Sequence, residues 1–189
     1  MKICGITSVG DALIAQEAGA DMIGVIAFSQ SPRCISPDKI REIFDAVPSL
    51  TRCCVSHGPS TREMAAICDL VPDVIQVPSF VQIPDSCTAR VFRSIRPGDP
   101  LPDDANALII DASHGSGRNF DAAYAVSVRR SAQVPVFLAG GLTPDNVSEA
   151  IRTVHPDGVD VATGVEYAPG KKDREKVRAF VERAKGVKV

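Results

Sequence analysis

Eight short apolar runs alternate with amphipathic stretches from end to end of this chain, and no other feature constrains its fold as much. The runs are Lys2–Ile6, Met22–Phe28, Arg52–Ser56, Val74–Val77, Arg90–Ser94, Ala107–Asp111, Val134–Ala139 and Gly158–Ala162. Helical periodicity marks Val9–Ala18, Pro37–Ala46, Ser60–Leu70, Asp121–Ser131, Pro144–Val154 and Lys172–Lys185. Strands separated by helices pair in parallel, because a crossover is needed to re-enter the sheet in the same direction. Eight such units predict a single-domain α/β fold, a closed (β/α)8 barrel over residues 1–189. An open doubly wound sheet is the alternative, but no glycine fingerprint follows the first run.

A chain of 189 residues is short for an eight-fold barrel. The saving falls in the middle. Ser79–Ala89 and Pro97–Ala105 are rich in Pro, Asp and Ser, so the fourth and fifth helices are expected to be short or replaced by loops. Elsewhere the punctuation is clear. Ser36-Pro37 and Thr143-Pro144 each set a capping hydroxyl before a proline suited to the first helical turn. Gly19 fits a left-handed cap closing the first helix.

A net charge of −2, with no basic block or stripe, argues against a nucleic-acid partner. Lys171-Lys172 and Arg129-Arg130 read as solvated helix ends. No apolar run approaches the ~20 residues of a membrane span. The first residues enter a strand pattern directly, without the features of a secretory leader, so a cytoplasmic protein is expected. The six cysteines match no zinc template, and Cys53, Cys54, Cys68 and Cys87 read as packing thiols.

Four of the runs end in small or reactive residues: Lys2-Ile3-Cys4-Gly5, Leu108-Ile109-Ile110-Asp111, Leu138-Ala139-Gly140-Gly141 and Val161-Ala162-Thr163-Gly164. A parallel barrel gathers its strand ends on one face, so these ends predict one composite site. Gly140-Gly141 ahead of a helix, followed one unit later by Thr163-Gly164, gives two bare turns where barrels of this kind hold phosphate. Each turn alone is weak evidence, since most paired glycines only make a tight turn. Asp111 alone reads equally as a loop-start carboxylate capping N–H groups, and Cys4 as an inert thiol.

Taken in order, these motifs resemble the phosphoribosylanthranilate isomerase family. The resemblance rests on Lys2-Ile3-Cys4-Gly5-Ile6-Thr7, on Gly19-Ala20-Asp21-Met22-Ile23-Gly24 with Ser31-Pro32-Arg33-Cys34-Ile35-Ser36, and on Phe137-Leu138-Ala139-Gly140-Gly141-Leu142 with Asn146-Val147. Asp160-Val161-Ala162-Thr163-Gly164-Val165-Glu166 and Pro169-Gly170-Lys171-Lys172-Asp173 complete it. It implies an isomerase of tryptophan biosynthesis that uses no cofactor and no metal. Its substrate would be a small phosphoribosyl molecule, N-(5-phosphoribosyl)anthranilate, and its reaction an Amadori rearrangement to the amino-ketose. By the same resemblance Asp111 is the general acid and Cys4 the general base. Arg33 would hold the anthranilate carboxylate, a task its planar fork suits. Gly140, Gly141, Thr163 and Gly164 would hold the phosphate, with Asp160 in support. The Gly115-Ser116-Gly117 loop would fold over the substrate. A monomer or homodimer is expected.

For Cys4 to act as a base its thiol must lose a proton, and Lys2, two residues earlier on the same strand face, is the nearest cation to help. Two strands depart from the family pattern, whose third strand commonly carries a Gly-Val-Phe run where this chain has Arg52-Cys53-Cys54-Val55-Ser56-His57. The family's fourth strand usually ends Gln-Leu-His-Gly, where this chain has Gln76-Val77-Pro78-Ser79, so Pro78 replaces an imidazole. His57, just past the third strand, is a possible substitute, although a solvated loop histidine is the simpler reading. His114 also stands where the family more often has glycine. Three other classes compete: a metal-dependent phosphosugar epimerase, a phosphosugar-binding barrel without turnover, and a metal binder built on Cys53-Cys54 and His57. The first lacks the required His and acidic constellation at its strand ends. The last is weakened because adjacent cysteines chelate one ion poorly.

Overall fold

In the computed structural model, which describes residues 1–111 and 121–187, eight parallel strands close into a barrel. They are β1 (Lys2–Cys4), β2 (Met22–Ile26), β3 (Thr51–Val55), β4 (Val74–Pro78), β5 (Arg90–Ile95), β6 (Ala107–Asp111), β7 (Val136–Ala139) and β8 (Gly158–Val161). Closure is made where β8 pairs with β1, with Lys2 opposite Asp160. The helices are α1 (Val9–Glu17), α2 (Pro37–Ala46), α3 (Thr61–Cys68), α4 (Ala122–Ser131), α5 (Val147–Val154) and α6 (Arg174–Lys185). Among the described residues, no helix is long and apolar enough to cross a membrane. Gly115-Ser116-Gly117 and His114 lie outside the described residues.

Strand alternation splits the apolar residues into two sets. Ile3, Ile23, Val25, Cys54, Ile75, Leu108, Ile110 and Leu138 face outward and pack with the helices. Cys4, Met22, Ile26, Cys53, Val55, Val74, Phe92, Ala107 and Ile109 face inward and fill the barrel, flanked by Phe137 and Ala139. Cys53 and Cys54 therefore point to opposite faces of β3, which removes them as a joint metal grip. Two glycines make room inside. A side chain at Gly158 would fall 2.5 Å from the Phe137 ring, and one at Gly24 would fall 2.8 Å from Cys4 Sγ and 3.0 Å from Lys2 Cε.

The middle of the barrel is as economical as its composition implies, with no helix between β4 and β5 or between β5 and β6. Arg93, on the outer face of β5 and 2% exposed, takes over part of their role. Its Nη1 donates to the carbonyls of Pro78 (2.9 Å) and Val81 (2.8 Å), and its guanidinium pairs with Asp104. One cation thus ties both irregular connections to the strand between them.

Ser36 caps α2 by accepting from Lys39 N–H, with Pro37 in the first turn, and Gly19 adopts φ +85° beyond α1. Thr143-Pro144 behaves differently. The helix begins only at Val147, because Asn146 Oδ1 accepts from Thr143 N–H and holds residues 143–146 as a turn. Near the C-terminus, the expected helix start at Lys172 is also corrected. Residues 163–165 form a 3₁₀ turn, followed by an antiparallel hairpin of β9 (Glu166–Ala168) and β10 (Lys171–Lys172), and α6 starts at Arg174. Lys172 is 2% exposed in that hairpin, not a solvated helix end.

Candidate active site

β1 supplies the centre of the site. Lys2 and Cys4 both point into the barrel, and the absence of a side chain at Gly24 gives them space. Lys2 Nζ, fully buried, donates to Asp160 Oδ2 on β8 (2.9 Å) and to Gln76 Oε1 on β4 (2.6 Å). Gln76 passes the chain on to Ser94 Oγ on β5 (3.1 Å). Burial works to lower the Lys2 pKa, but the carboxylate of Asp160 and the nearby thiols reverse this, so it stays charged. Asp160 Oδ1 is buried with no hydrogen-bond partner among the described residues.

Cys4 is 8% exposed. Burial pushes its thiol above the ordinary range; Lys2 pulls it back, Asp160 adds to the rise, and Lys172 opposes it. The expected cation is in place, but desolvation outweighs it, so the thiol is the favoured form at neutral pH. Asp111 ends β6, in register with Ala139 of β7, and alternation puts it on the same interior face as Ala107 and Ile109.

Gly5, at φ +71°, ends β1 in a conformation that L side chains rarely adopt, and a Cβ there would lie 2.6 Å from Arg33 Cδ. Arg33 thereby crosses directly over the end of β1. Its loop is shaped by hydroxyls: Ser29 Oγ accepts from Ser31 N–H, and Ser31 Oγ accepts from Arg33 N–H. The Arg33 guanidinium donates from Nε to Glu166 Oε1 (2.8 Å) and from Nη2 to Glu166 Oε2 (2.6 Å), with Thr163 Oγ1 at 3.3 Å. On the other side of Glu166, Lys172 Nζ donates to Oε1 (2.9 Å) and to the Ala162 carbonyl (3.1 Å). Burial raises the Glu166 pKa, yet the hydrogen bonds from Arg33 and Lys172 win and hold it below the usual carboxylate range.

The two glycine turns meet. A Cβ on Gly164 would lie 1.9 Å from the Leu142 carbonyl oxygen, an approach only glycine permits. Gly140 and Gly141 take φ +89° and +66°, and Asn146 Nδ2 donates to the Gly141 carbonyl (3.0 Å). The turns after β7 and β8 thus form one cradle ahead of α5, whose first N–H, that of Val147, donates to the Thr143 carbonyl (3.1 Å).

This geometry lies on a chain of recognisable ancestry. The model of the N-(5'-phosphoribosyl)anthranilate isomerase family matches residues 1–183. The chain belongs to that family. It is 46% identical over 187 residues to N-(5'-phosphoribosyl)anthranilate isomerase of Methanoregula boonei, covering 98% of this chain and 96% of that protein. The crystal structure of phosphoribosyl anthranilate isomerase from Thermotoga maritima superposes with a TM-score of 0.81 at 29% identity, covering 98% of both chains. A phosphoribosyl anthranilate isomerase in complex with reduced 1-(o-carboxyphenylamino)-1-deoxyribulose 5-phosphate superposes with a TM-score of 0.80 at 28% identity, again over 98% of both.

The residues singled out by motif sit on one face: Cys4, Arg33, Gly140, Gly141, Thr163 and Gly164, with Asp111 at the end of its strand and Asp160 deeper inside. His57 stands at the rim beyond β3, where burial and the charges of Arg96 and Lys2 hold its imidazole below the usual range. The side chain is exposed, its Nδ1 is 2.8 Å from Ser29 Oγ, and it lines a cleft of about 890 Å3 with Phe28, Cys34 and Glu63. Gln76, Glu166 and Lys172 were assigned no role from sequence. The signal that was present was Glu166 lying six residues before Lys172, with Pro169-Gly170 between them marking a tight hairpin.

Proposed function

We propose that the chain is a phosphoribosylanthranilate isomerase that converts N-(5-phosphoribosyl)anthranilate into 1-(2-carboxyphenylamino)-1-deoxyribulose 5-phosphate, a step of tryptophan biosynthesis. The cradle of Gly140, Gly141, Thr163 and Gly164 holds the phosphate, and Arg33 holds the ring carboxylate. Asp111 donates a proton to the furanose oxygen as the C1–O bond breaks, and the nitrogen lone pair makes the iminium. Cys4, as thiolate, takes the C2 proton; those electrons form the C1–C2 double bond and neutralise the nitrogen. The enolamine then gains a proton at C1 and loses its hydroxyl proton to become the ketone, which restores both groups. Asp160, deeper in the barrel, acts in support by holding the Lys2 amine beneath Cys4.

The observation that carries this reading is the company around Cys4. Lys2 and Lys172 both act on it electrostatically, as does Arg33, so its thiolate forms among three cations. Cys53, a packing thiol on β3, feels only Lys2 of the three. The reading also fits a relative of the same fold crystallised with a reduced product.

Turnover of the purified protein against its Cys4→Ala and Asp111→Asn variants tests it. Each variant is expected to lose at least ~10²-fold in kcat while keeping its fold. Wild-type turnover in either would remove that residue from the reaction. A second reading, a barrel that binds phosphosugars without turnover, rests on Pro78. It brings no imidazole, and its carbonyl is committed to Arg93. An inactive wild type that still binds the phosphosugar would favour it.

A further inference from the structure

Arg33 does not stand alone, and the way it is held has a consequence for substrate choice. A guanidinium offers two edges for a carboxylate, one formed by Nε with one terminal nitrogen and one by the two terminal nitrogens. Glu166 occupies the first, through Nε and Nη2. The second edge keeps Nη1, which has no protein acceptor among the described residues, and the outer proton of Nη2 near Thr163 Oγ1. Arg33 therefore remains able to grip a second carboxylate without releasing the first.

Glu166 is fixed more firmly than Arg33. Its side chain is 3% exposed, against 17% for Arg33, and Lys172, fully buried, holds it from the far side. The backbone beneath is tied as well: Lys176 Nζ donates to the Glu166 carbonyl (2.9 Å), and Thr7 Oγ1 donates to the Gly170 carbonyl across the hairpin (2.5 Å). Two cations share this one carboxylate, so the cluster keeps a net positive charge beside Cys4 and the glycine cradle.

We propose that Glu166, anchored by Lys172, is a positioning residue that fixes Arg33 by its side edge. It thereby presents the end edge to an aryl carboxylate and sets the preference for an ortho-carboxylated ring. The inference rests on the isomerase reading and deepens it. The opposite relation, with Glu166 competing for Arg33 until the substrate displaces it, would leave the end edge unused. It predicts the reverse effect on affinity.

Calorimetric titration with two ligands tests the proposal: reduced 1-(o-carboxyphenylamino)-1-deoxyribulose 5-phosphate, and its anilino counterpart lacking the ring carboxylate. The wild type should prefer the carboxylated ligand by roughly 10²-fold, the worth of a bidentate charged pair. In Glu166→Gln that preference should fall below about tenfold, with affinity for the anilino ligand within about threefold of wild type. Glu166→Asp should recover part of it, and in turnover the loss should appear in KM before kcat. Arg33→Lys keeps the charge facing Glu166 but has no second edge, so it should lose the preference with the fold intact, which covers a Glu166 variant that fails to fold. Undiminished preference in Glu166→Gln, or tighter binding of the carboxylated ligand, would overturn the positioning role. A wild type that binds neither ligand would overturn the isomerase reading itself, a separate outcome.

Discussion

Replacing Lys2 by Met should separate stability from catalysis at the centre of the barrel. The amine is fully buried and holds two acceptors, Asp160 Oδ2 at 2.9 Å and Gln76 Oε1 at 2.6 Å. Removing it strands Asp160, whose other oxygen already lacks a hydrogen-bond partner among the described residues. Breaking a buried pair from one side costs ~3–5 kcal/mol, because the remaining charge has neither water nor a counter-ion. For a chain of this size that is a fall of roughly 6–20 °C in Tm. Removing both charges, as Lys2→Met with Asp160→Leu, should recover about half of the loss, since an apolar pair replaces the ion pair at little cost while Gln76 Oε1 still lacks its donor. Catalysis should not recover with it. Cys4 would still lack the nearest cation opposing its desolvation, so the double variant should stay at least ~10-fold below wild type near neutral pH, with its pH profile displaced to higher pH. Urea titration followed at the tyrosines gives the first quantity, and kcat/KM against pH gives the second. A double variant with full stability and full activity would refute the electrostatic role of Lys2. A single variant as stable as wild type would refute the buried pair.

Other consequences are as direct. Because burial lifts the Cys4 thiol, its thiolate form grows as pH rises, so alkylation of Cys4 by iodoacetamide, followed by peptide mass, should speed up through neutrality and still be rising at about pH 8; a plateau reached below about pH 7 would contradict this. Gly164→Ala has to move the turn after β7, since its Cβ meets the Leu142 carbonyl oxygen. It should raise KM and weaken inhibition by inorganic phosphate by at least ~10-fold, and unchanged phosphate inhibition would mean the cradle lies elsewhere. Arg93→Met leaves the Val81 carbonyl unpaired and the Pro78 carbonyl with Val81 N–H alone, so about 2 kcal/mol or more should be lost in urea unfolding, with near-wild-type turnover per folded molecule. A loss below about 1 kcal/mol would show those connections to be held by other contacts.

The barrel was legible because its signal is repeated: each apolar run is long enough to register, and parallel pairing follows from the alternation alone. The missing helices could be seen as well, since Pro, Asp and Ser between Ser79 and Ala105 leave no apolar stripe to bury. Their replacement by Arg93 could not. An arginine in a strand reads as exposed until its acceptors, which come from two separate loops, are brought to it by the fold. The same holds at the site. Cys4, Asp111 and the glycine turns announce themselves by position at strand ends, whereas Lys172 looked solvated because its partner is contributed by hairpin geometry. The presence of Lys2 beside Cys4 followed from period-two alternation. The sign of the resulting shift did not, because desolvation depends on how completely the barrel closes around the thiol.

Turnover of phosphoribosylanthranilate at the strand ends of this barrel is the activity proposed. It is tested most directly by following the fluorescence of freshly generated substrate after adding the purified protein, with the product identified by mass and Cys4→Ala run in parallel. Rapid, protein-dependent loss of the signal and formation of the amino-ketose are expected for the wild type, and neither for the variant. Tight binding of the phosphosugar without acceleration by the wild type would contradict it and leave a barrel that binds but does not isomerise.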